Sequence, residues 1–171
     1  MSLTRVAQYL SDNTDFTIKL IVAKKLKDGL EIKLPETLGL KYLNSSRTLF
    51  SVFKLMKVIN TEKPNVILTT LPTPNFIVTT LKKYRLIKSK VVLREANSNY
   101  LNWGNSFKDK IKGKLAVFAF NNSDANIFIS EELKENVEKY ISNKKNIVIY
   151  NPVFTEDFFD RAYEEVEGFD F

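Results

Sequence analysis

The segment LREANSN, residues 93–99, places charged and amide side chains directly after an apolar, β-branched run. Arg94 supplies a permanent cation and Glu95 a carboxylate, while Asn97 and Ser98 add hydrogen-bonding groups in the loop that follows. Such groups suit a polyhydroxylated or phosphorylated ligand, because they hydrogen-bond hydroxyl and phosphate oxygens. A structural role is open as well: an ion pair between Arg94 and Glu95 could tie the strand end to a neighbouring loop.

Polar residues also follow the other strand-like segments of the chain. They are Thr69, Thr70 and Pro72 after VIL, Ser130 and Glu131 after NIFI, and Asn151 after IVIY. Ligands of parallel α/β sheets bind beyond the carboxyl ends of the strands, so these positions are binding candidates. For Ser130 a helix cap is the favoured reading, because a serine followed by carboxylates is typical of a helix N-terminus.

Two residue types that carry much of protein chemistry are absent. The 171 residues contain no histidine and no cysteine, which excludes zinc sites, thiolate chemistry and disulfides and is natural in a reducing cytoplasm. Carboxylates, lysine and tyrosine are then the acid–base candidates. No glycine-rich phosphate-binding loop occurs either. We expect no metal site and no bound cofactor.

The charge balance favours an anionic partner. The net charge is +6 and the pI is near 9.3, which suits a phosphate-bearing substrate or an anionic membrane and is equally compatible with solubility alone. The lysines at alternate positions of one segment are read first as a solvated helix face and second as an anionic-surface contact. They are Lys108, Lys110, Lys112 and Lys114, and a second basic group comprises Lys82, Lys83, Arg85, Lys88 and Lys90. A nucleic-acid partner is not expected, because the aromatic residues form no stacking platform.

These candidate residues are carried by an alternating series of helices and strands. Helical periodicity or capping signals mark segments near residues 3–10, 46–60, 75–84, 107–120 and 130–141. Apolar or alternating runs predict strands near 17–23, 30–35, 65–70, 90–95, 125–129 and 146–150. In the helix near 107–120, Phe107, Ile111, Leu115 and Phe118 form the predicted apolar stripe. The uncharged run 64–81 contains three prolines and cannot be a membrane helix. The pattern predicts a doubly wound, mostly parallel α/β sheet.

The segment DANIFISEELKENVEKYISNKKNIVIYNPV resembles the end of the N-terminal domain of GT-B fold, family 4 ("group 1") retaining glycosyltransferases. The matching positions are Asp124, Ala125, Ile127, Ser130, Ile149, Asn151, Pro152 and Val153, with the family's Ala-Asp pair inverted. KPNVILTTLPTPN and VVLREANS are similar to two further strands with their loops, and LTRVAQYL is similar to the family's first helix.

The resemblance implies an acceptor-side, Rossmann-like domain over residues 1–153 and the start of an interdomain linker over 154–171. The full enzyme would transfer a sugar from a nucleotide-sugar donor to a glycan or lipid-linked acceptor in the cytoplasm, for cell-surface polysaccharide synthesis. The two basic groups of the sequence, and not the resemblance, are the basis for expecting a peripheral contact with the inner face of an anionic membrane. A second Rossmann-like domain would hold most of the donor, so we expect this chain to be inactive alone. Thr70, Pro72, Arg94, Glu95, Asn97 and Ser98 would line the acceptor side, and Asn151 and Pro152 the hinge.

The family's first strand has no counterpart in this sequence. It would lie between the strands near 17–23 and 65–70, and we expect these two strands either to pair directly or to take a strand from a second copy, giving a homodimer. The alternative to the enzyme reading is a non-catalytic α/β module that binds a phosphorylated small molecule or a protein.

Overall fold

The computed structural model describes residues 2–22, 38–44, 52–96, 106–143 and 145–151. Within these ranges the chain forms α1 (Ser2–Asn13), β1 (Lys19–Val22), β2 (Gly39–Tyr42), α2 (Val52–Glu62), β3 (Val66–Thr69) and α3 (Pro72–Lys83). It continues with β4 (Lys90–Glu95), α4 (Phe107–Asn121), β5 (Ala125–Phe128), α5 (Glu131–Glu138) and β6 (Asn146–Val148). The α/β alternation predicted from the sequence is confirmed.

The strands form two parallel sheets. One has the order β3-β4-β5-β6, and the other consists of β1 paired with β2. Parallel neighbours joined through helices are the expected result of short, apolar strands that alternate with amphipathic helices. β1 and β3 do not hydrogen-bond to each other, so the prediction that they pair directly is wrong.

The core lies between β4, β5 and the helices next to them. Val91, Leu93 and Phe128 are fully inaccessible, and Phe120 packs its ring against Phe128 with the centroids 5.9 Å apart. The rest of this cluster comes mainly from α3, α4 and α5. β4 is therefore the most deeply buried strand of the larger sheet, and it carries Arg94 and Glu95 at its carboxyl end.

A network of buried amides fixes β5 to β6. Asn126 is fully buried; its amide donates to the Phe120 carbonyl (3.3 Å) and to Asn146 Oδ1 (2.9 Å), and its Oδ1 accepts from Ser123 Oγ (2.7 Å). Asn143 donates to the Phe120 carbonyl at 2.9 Å, so the amides meet the end of α4 as well. Buried polar groups are tolerated when they are hydrogen-bonded in this way, and such networks favour one strand register.

Several local predictions were wrong. The apolar run near 146–150 was interpreted as a short buried strand, but among the described strands β6 pairs only with β5, and Ile147, Ile149 and Tyr150 are exposed. Helical spacing in the segments 46–60 and 75–84 predicts Phe53 and Tyr84 on the apolar faces of their helices, but they are 77% and 68% exposed. β2 was not predicted at all. The strand predicted near 30–35 and the Ser46 cap lie outside the described residues.

Candidate functional site

The candidate residues come together at one edge of the larger sheet. Its strands are all parallel, so their carboxyl ends lie at the same edge. β3 ends at Thr69 and is followed by Thr70, β4 ends with Arg94 and Glu95, and Ser130 follows β5 by two residues. Asn151 follows β6. The topology therefore places these strand-end residues at one edge of the sheet.

Arg94 is the best-defined group of the edge. Its side chain is buried, with 8% of the residue exposed, and Nη2 donates a hydrogen bond to Asn151 Oδ1. The bond joins groups from β4 and from the end of β6, which are separated by β5 in the sheet. A guanidinium stays charged and carries five N–H donors, so a single hydrogen bond to an amide oxygen leaves the other donors available. Among the described residues, Asn151 is that single partner.

Glu95 lies on the other face of β4. Neighbouring residues of a strand point to opposite faces, and Glu95, which is 4% exposed, accepts a hydrogen bond from the Ala96 N–H at 3.1 Å. Arg94 bonds to Asn151, which ties the end of β4 to the segment after β6. The cation and the carboxylate thus occupy separate buried positions at the same strand end.

The turn from β3 into α3 is strained and short of hydrogen-bond donors. Leu71 adopts φ 126° and ψ 139°, a conformation that side chains disfavour, and it provides no side-chain cap. Pro72 and Pro74 stand in the first turn and have no N–H. Backbone strain of this kind costs about 1–3 kcal/mol and is often found at functional sites. Thr70, half-buried, and Pro72, exposed, flank this turn.

Asn75 is a residue of this turn that the sequence reading missed. It is 3% exposed, and its Oδ1 has no hydrogen-bond partner among the described residues. An unpaired buried acceptor costs about 1–3 kcal/mol, so it is uncommon in a folded protein. The sequence did contain a signal for this residue. It is an asparagine in the first turn of an apolar helix, a position where a leucine or an alanine would pack at a lower free-energy cost.

Ser130 has the structural role that was favoured for it. Its Oγ accepts from the Leu133 N–H at 3.2 Å, and Glu131 and Glu132 occupy the first turn of α5. This is an N-cap with carboxylates placed favourably in the helix dipole. Ser130 is therefore already engaged in holding α5. Asn97, Ser98 and Pro152 lie outside the described residues.

Two carboxylates with perturbed pKa values lie away from the site. Burial raises the pKa of Asp124, but hydrogen bonds from Lys82 and from the Val91 N–H outweigh it and hold the pKa below its usual range. Hydrogen bonds from Lys19 and Lys41 lower the pKa of the exposed Glu62. Both groups pair with lysines in structural contacts. Within the described ranges no cluster of acidic side chains could hold a metal ion.

The described helices include none that is long and apolar enough to cross a membrane. This agrees with the reading of the uncharged run 64–81, which forms β3 and most of α3.

Comparison with known proteins supports the fold and identifies the family. A solved structure titled UDP-N-acetylglucosamine 2-epimerase from Rickettsia bellii is similar in fold, with a TM-score of 0.51 and 18% identity. The similarity covers 73% of this chain and 34% of the other, so the chain spans about a third of that protein. A search of curated proteins found no match. Residues 4–157 match the family described as Glycosyltransferase Family 4, which is nearly the whole sequence. The chain belongs to Glycosyltransferase Family 4.

Proposed function

We propose that the chain is the acceptor-side domain of a retaining glycosyltransferase, covering residues 1–153. The enzyme moves a sugar from a nucleotide-sugar donor to a glycan or lipid-linked acceptor used in polysaccharide synthesis, at the cytoplasmic face of a membrane. The donor is a co-substrate bound mainly by a second Rossmann-like domain, and no cofactor is needed. Membership of the family and the polar carboxyl edge of the sheet support this proposal.

The observation that carries the proposal is the buried guanidinium of Arg94 at that edge. Asn151 holds it in place, and its remaining N–H donors suit acceptor hydroxyl or phosphate oxygens. Preorganised donors in a site of low polarity bind charge more strongly than the same groups in water. Arg94 therefore orients the acceptor, with Thr70, Pro72, Glu95, Asn97 and Ser98 around it. Because Asn151 is bonded to Arg94, the hinge formed by Asn151 and Pro152 is coupled to acceptor binding.

The domain assignment is tested first on the 171-residue chain. Donor turnover and sugar transfer should both be undetectable, because most of the donor site belongs to the second domain. Clear sugar transfer by this chain would overturn the assignment.

The role of Arg94 is tested in the protein that includes the second domain. Replacing Arg94 by Met should raise the acceptor KM by about tenfold to a hundredfold, the equivalent of a lost charge-assisted hydrogen bond. Donor hydrolysis without acceptor should stay unchanged. Arg85→Gln is the matched control, since Arg85 is exposed beyond the end of α3. Equal acceptor KM values for both variants would refute the role of Arg94. If the longer protein binds the acceptor but never transfers sugar, the non-catalytic binding module is the better reading.

A further inference from the structure

The outer face of α4 carries an exposed apolar stripe. Phe107 is 77% exposed, Ile111 42% and Leu115 38%. These residues stand four apart, so they lie in one row on the helix. The sequence pattern predicted that the row would face the core, and that prediction is wrong. Phe118, which continues the row, is half-buried against Phe76 of α3, with the ring centroids 5.6 Å apart.

A different set of residues packs α4 against the protein. Gly113, Ala116, Ala119 and Phe120 are its buried residues. At about 100° per residue, the buried set and the exposed stripe are centred roughly 150° apart around the helix. The helix is therefore apolar on two nearly opposite faces. The small residues of the inner face let the helix approach the core closely, and the larger apolar residues of the outer face point away from it.

Lysines border the stripe on both sides. By the same helical geometry, Lys110 and Lys114 lie along one border, and Lys108 and Lys112 along the other. All four are exposed, and Lys112 makes a loose contact with Asp109 at 3.4 Å. Lys83 of α3 adds a further cation near the end of the row, with its Nζ 5.0 Å from the Phe118 ring centroid. Lys82, in contrast, is paired with Asp124.

We infer that α4 binds an anionic membrane surface, with Phe107, Ile111 and Leu115 inserted at the level of the headgroups. An apolar row bordered by lysines has the features of a helix that lies in the membrane interface. Anionic lipid headgroups complement the lysines, whose stems can extend to the surface while the row is buried. A second copy of the chain is a poor occupant, because a two-fold contact would bring the lysines of both copies together.

The first test measures co-sedimentation of the 171-residue protein with lipid vesicles. Vesicles with about 30% phosphatidylglycerol in phosphatidylcholine should bind it at low salt, and about 0.5 M salt should weaken that binding. Vesicles of phosphatidylcholine alone should bind it far less. No binding to the anionic vesicles at low salt would overturn the inference, and so would binding that salt leaves unchanged.

Matched variants separate the stripe from the general surface. Replacing Phe107, Ile111 and Leu115 by Ser should weaken binding about tenfold or more, whereas replacing the exposed Tyr9, Phe16 and Phe53 by Ser should not. Changing the four α4 lysines to Gln should weaken it at low salt by up to about a thousandfold, at about 1 kcal/mol for each lysine. The charge-matched control changes exposed lysines elsewhere to Gln, namely Lys57, Lys63, Lys139 and Lys145. An equal loss of vesicle binding in the triple Ser variant of the stripe and in the triple Ser variant of Tyr9, Phe16 and Phe53 would overturn the inference.

A second measurement does not depend on removing the stripe. Because the chain has no cysteine, Phe107→Cys provides a unique site for an environment-sensitive dye. Its fluorescence should shift to the blue on anionic vesicles, while a dye at Phe53→Cys should not respond. If the protein binds the vesicles but the emission of the dye at position 107 does not shift, the insertion of Phe107 is refuted. A dimer in light scattering that the Ser triple variant abolishes would instead assign the stripe to a second copy.

Discussion

Asp124 joins three parts of the larger sheet and its helices, and its substitution gives a sharp test of the fold. The carboxylate pairs with Lys82 at the end of α3, and Oδ2 accepts the Val91 N–H of β4 at 2.6 Å. The Asp124 N–H in turn donates to the Val91 carbonyl at 2.8 Å. Lys82 and Asp124 have side chains that are 27% and 31% exposed, so water screens the pair only in part. We predict that Asp124→Asn destabilises the protein at neutral pH.

The expected size follows from the lost charge-assisted bonds. Hydrogen bonds to charged groups contribute about 1.5–3 kcal/mol, and the amide keeps one weaker acceptor, so we expect a loss of about 1–2 kcal/mol. For a chain of this length the melting temperature should fall by roughly 2–8 °C. The pKa of Asp124 is lowered in the folded state. Its stabilisation is therefore complete above the unfolded pKa of about 4 and is lost as the pH falls through the lower folded value.

The assay is urea unfolding followed by circular dichroism, at pH 7 and at a series of lower pH values. Asp109→Asn is the matched control, because Asp109 forms an exposed pair with Lys112 one turn away on α4. Such pairs contribute about 0.2–0.5 kcal/mol, so this variant should resemble the unmodified protein. The gap between the Asp124 variant and the unmodified protein should shrink below about pH 4. Equal stability of the two variants at pH 7, or a gap that stays constant down to pH 3, would refute the reasoning.

Three further predictions concern the amide network, the strand-end contact and the open sheet edge. Asn126→Ala should lower the free energy of unfolding in urea by about 2–3 kcal/mol, because Ser123 and Asn146 each lose the buried side chain of Asn126 as a hydrogen-bond partner. A decrease below about 0.5 kcal/mol, which is typical of a surface substitution, would contradict this prediction. Asn151→Ala should lower the free energy of unfolding by about 1.5–3 kcal/mol, because it removes the hydrogen-bond acceptor of the buried Arg94. Asn151→Asp keeps an acceptor and should retain the stability of the unmodified protein. Equal stability of the two variants would contradict this prediction. Light scattering should show that the chain forms a dimer whose population rises with concentration. A monomer at all concentrations would contradict the expectation that a second copy supplies a strand.

The elements that the sequence predicted well are those with one clear signal. α5 has a Ser cap followed by carboxylates, and β4 is a long β-branched run, and both form as expected. The outer face of α4 was misassigned because the helix is apolar on two faces, and spacing does not tell which one packs. The small residues Gly113 and Ala116 decide it, since they permit a close approach to the core. β2 was missed because GLKY is short and carries a lysine.

The candidate site was predicted only at the level of topology. Parallel strands bring their carboxyl ends to one edge, so Thr70, Arg94 and Asn151 could be placed together from their positions after strands. The hydrogen bond between Arg94 and Asn151 could not be predicted, because it joins residues from β4 and from the end of β6. These two strands are separated by β5, so the bond depends on the strand order. Asn75 was missed because its significance lies in a lack of partners within the described structure, which only coordinates reveal.

β3 lies at one end of the larger sheet as the described strands form it. The expectation that the position would be filled placed the family's first strand at the centre of the sheet, between β1 and β3, where an empty position would open a void in the core. In this chain the most deeply buried strand is β4, while Val66 at the start of β3 is 53% exposed and Ile67 and Leu68 are half-buried. Among the described strands β3 pairs only with β4, and water can hydrogen-bond backbone groups at such an exposed edge, so direct pairing with β1 is not required. A strand edge that no described strand covers is a template for another strand. The driving force for a dimer is therefore the pairing of this edge. The Lys90 N–H donates to the Asn65 carbonyl, so by alternation the Val66 N–H points away from β4. A proline at Val66, which removes that N–H and leaves the β3–β4 ladder intact, should weaken the dimer if β3 forms it.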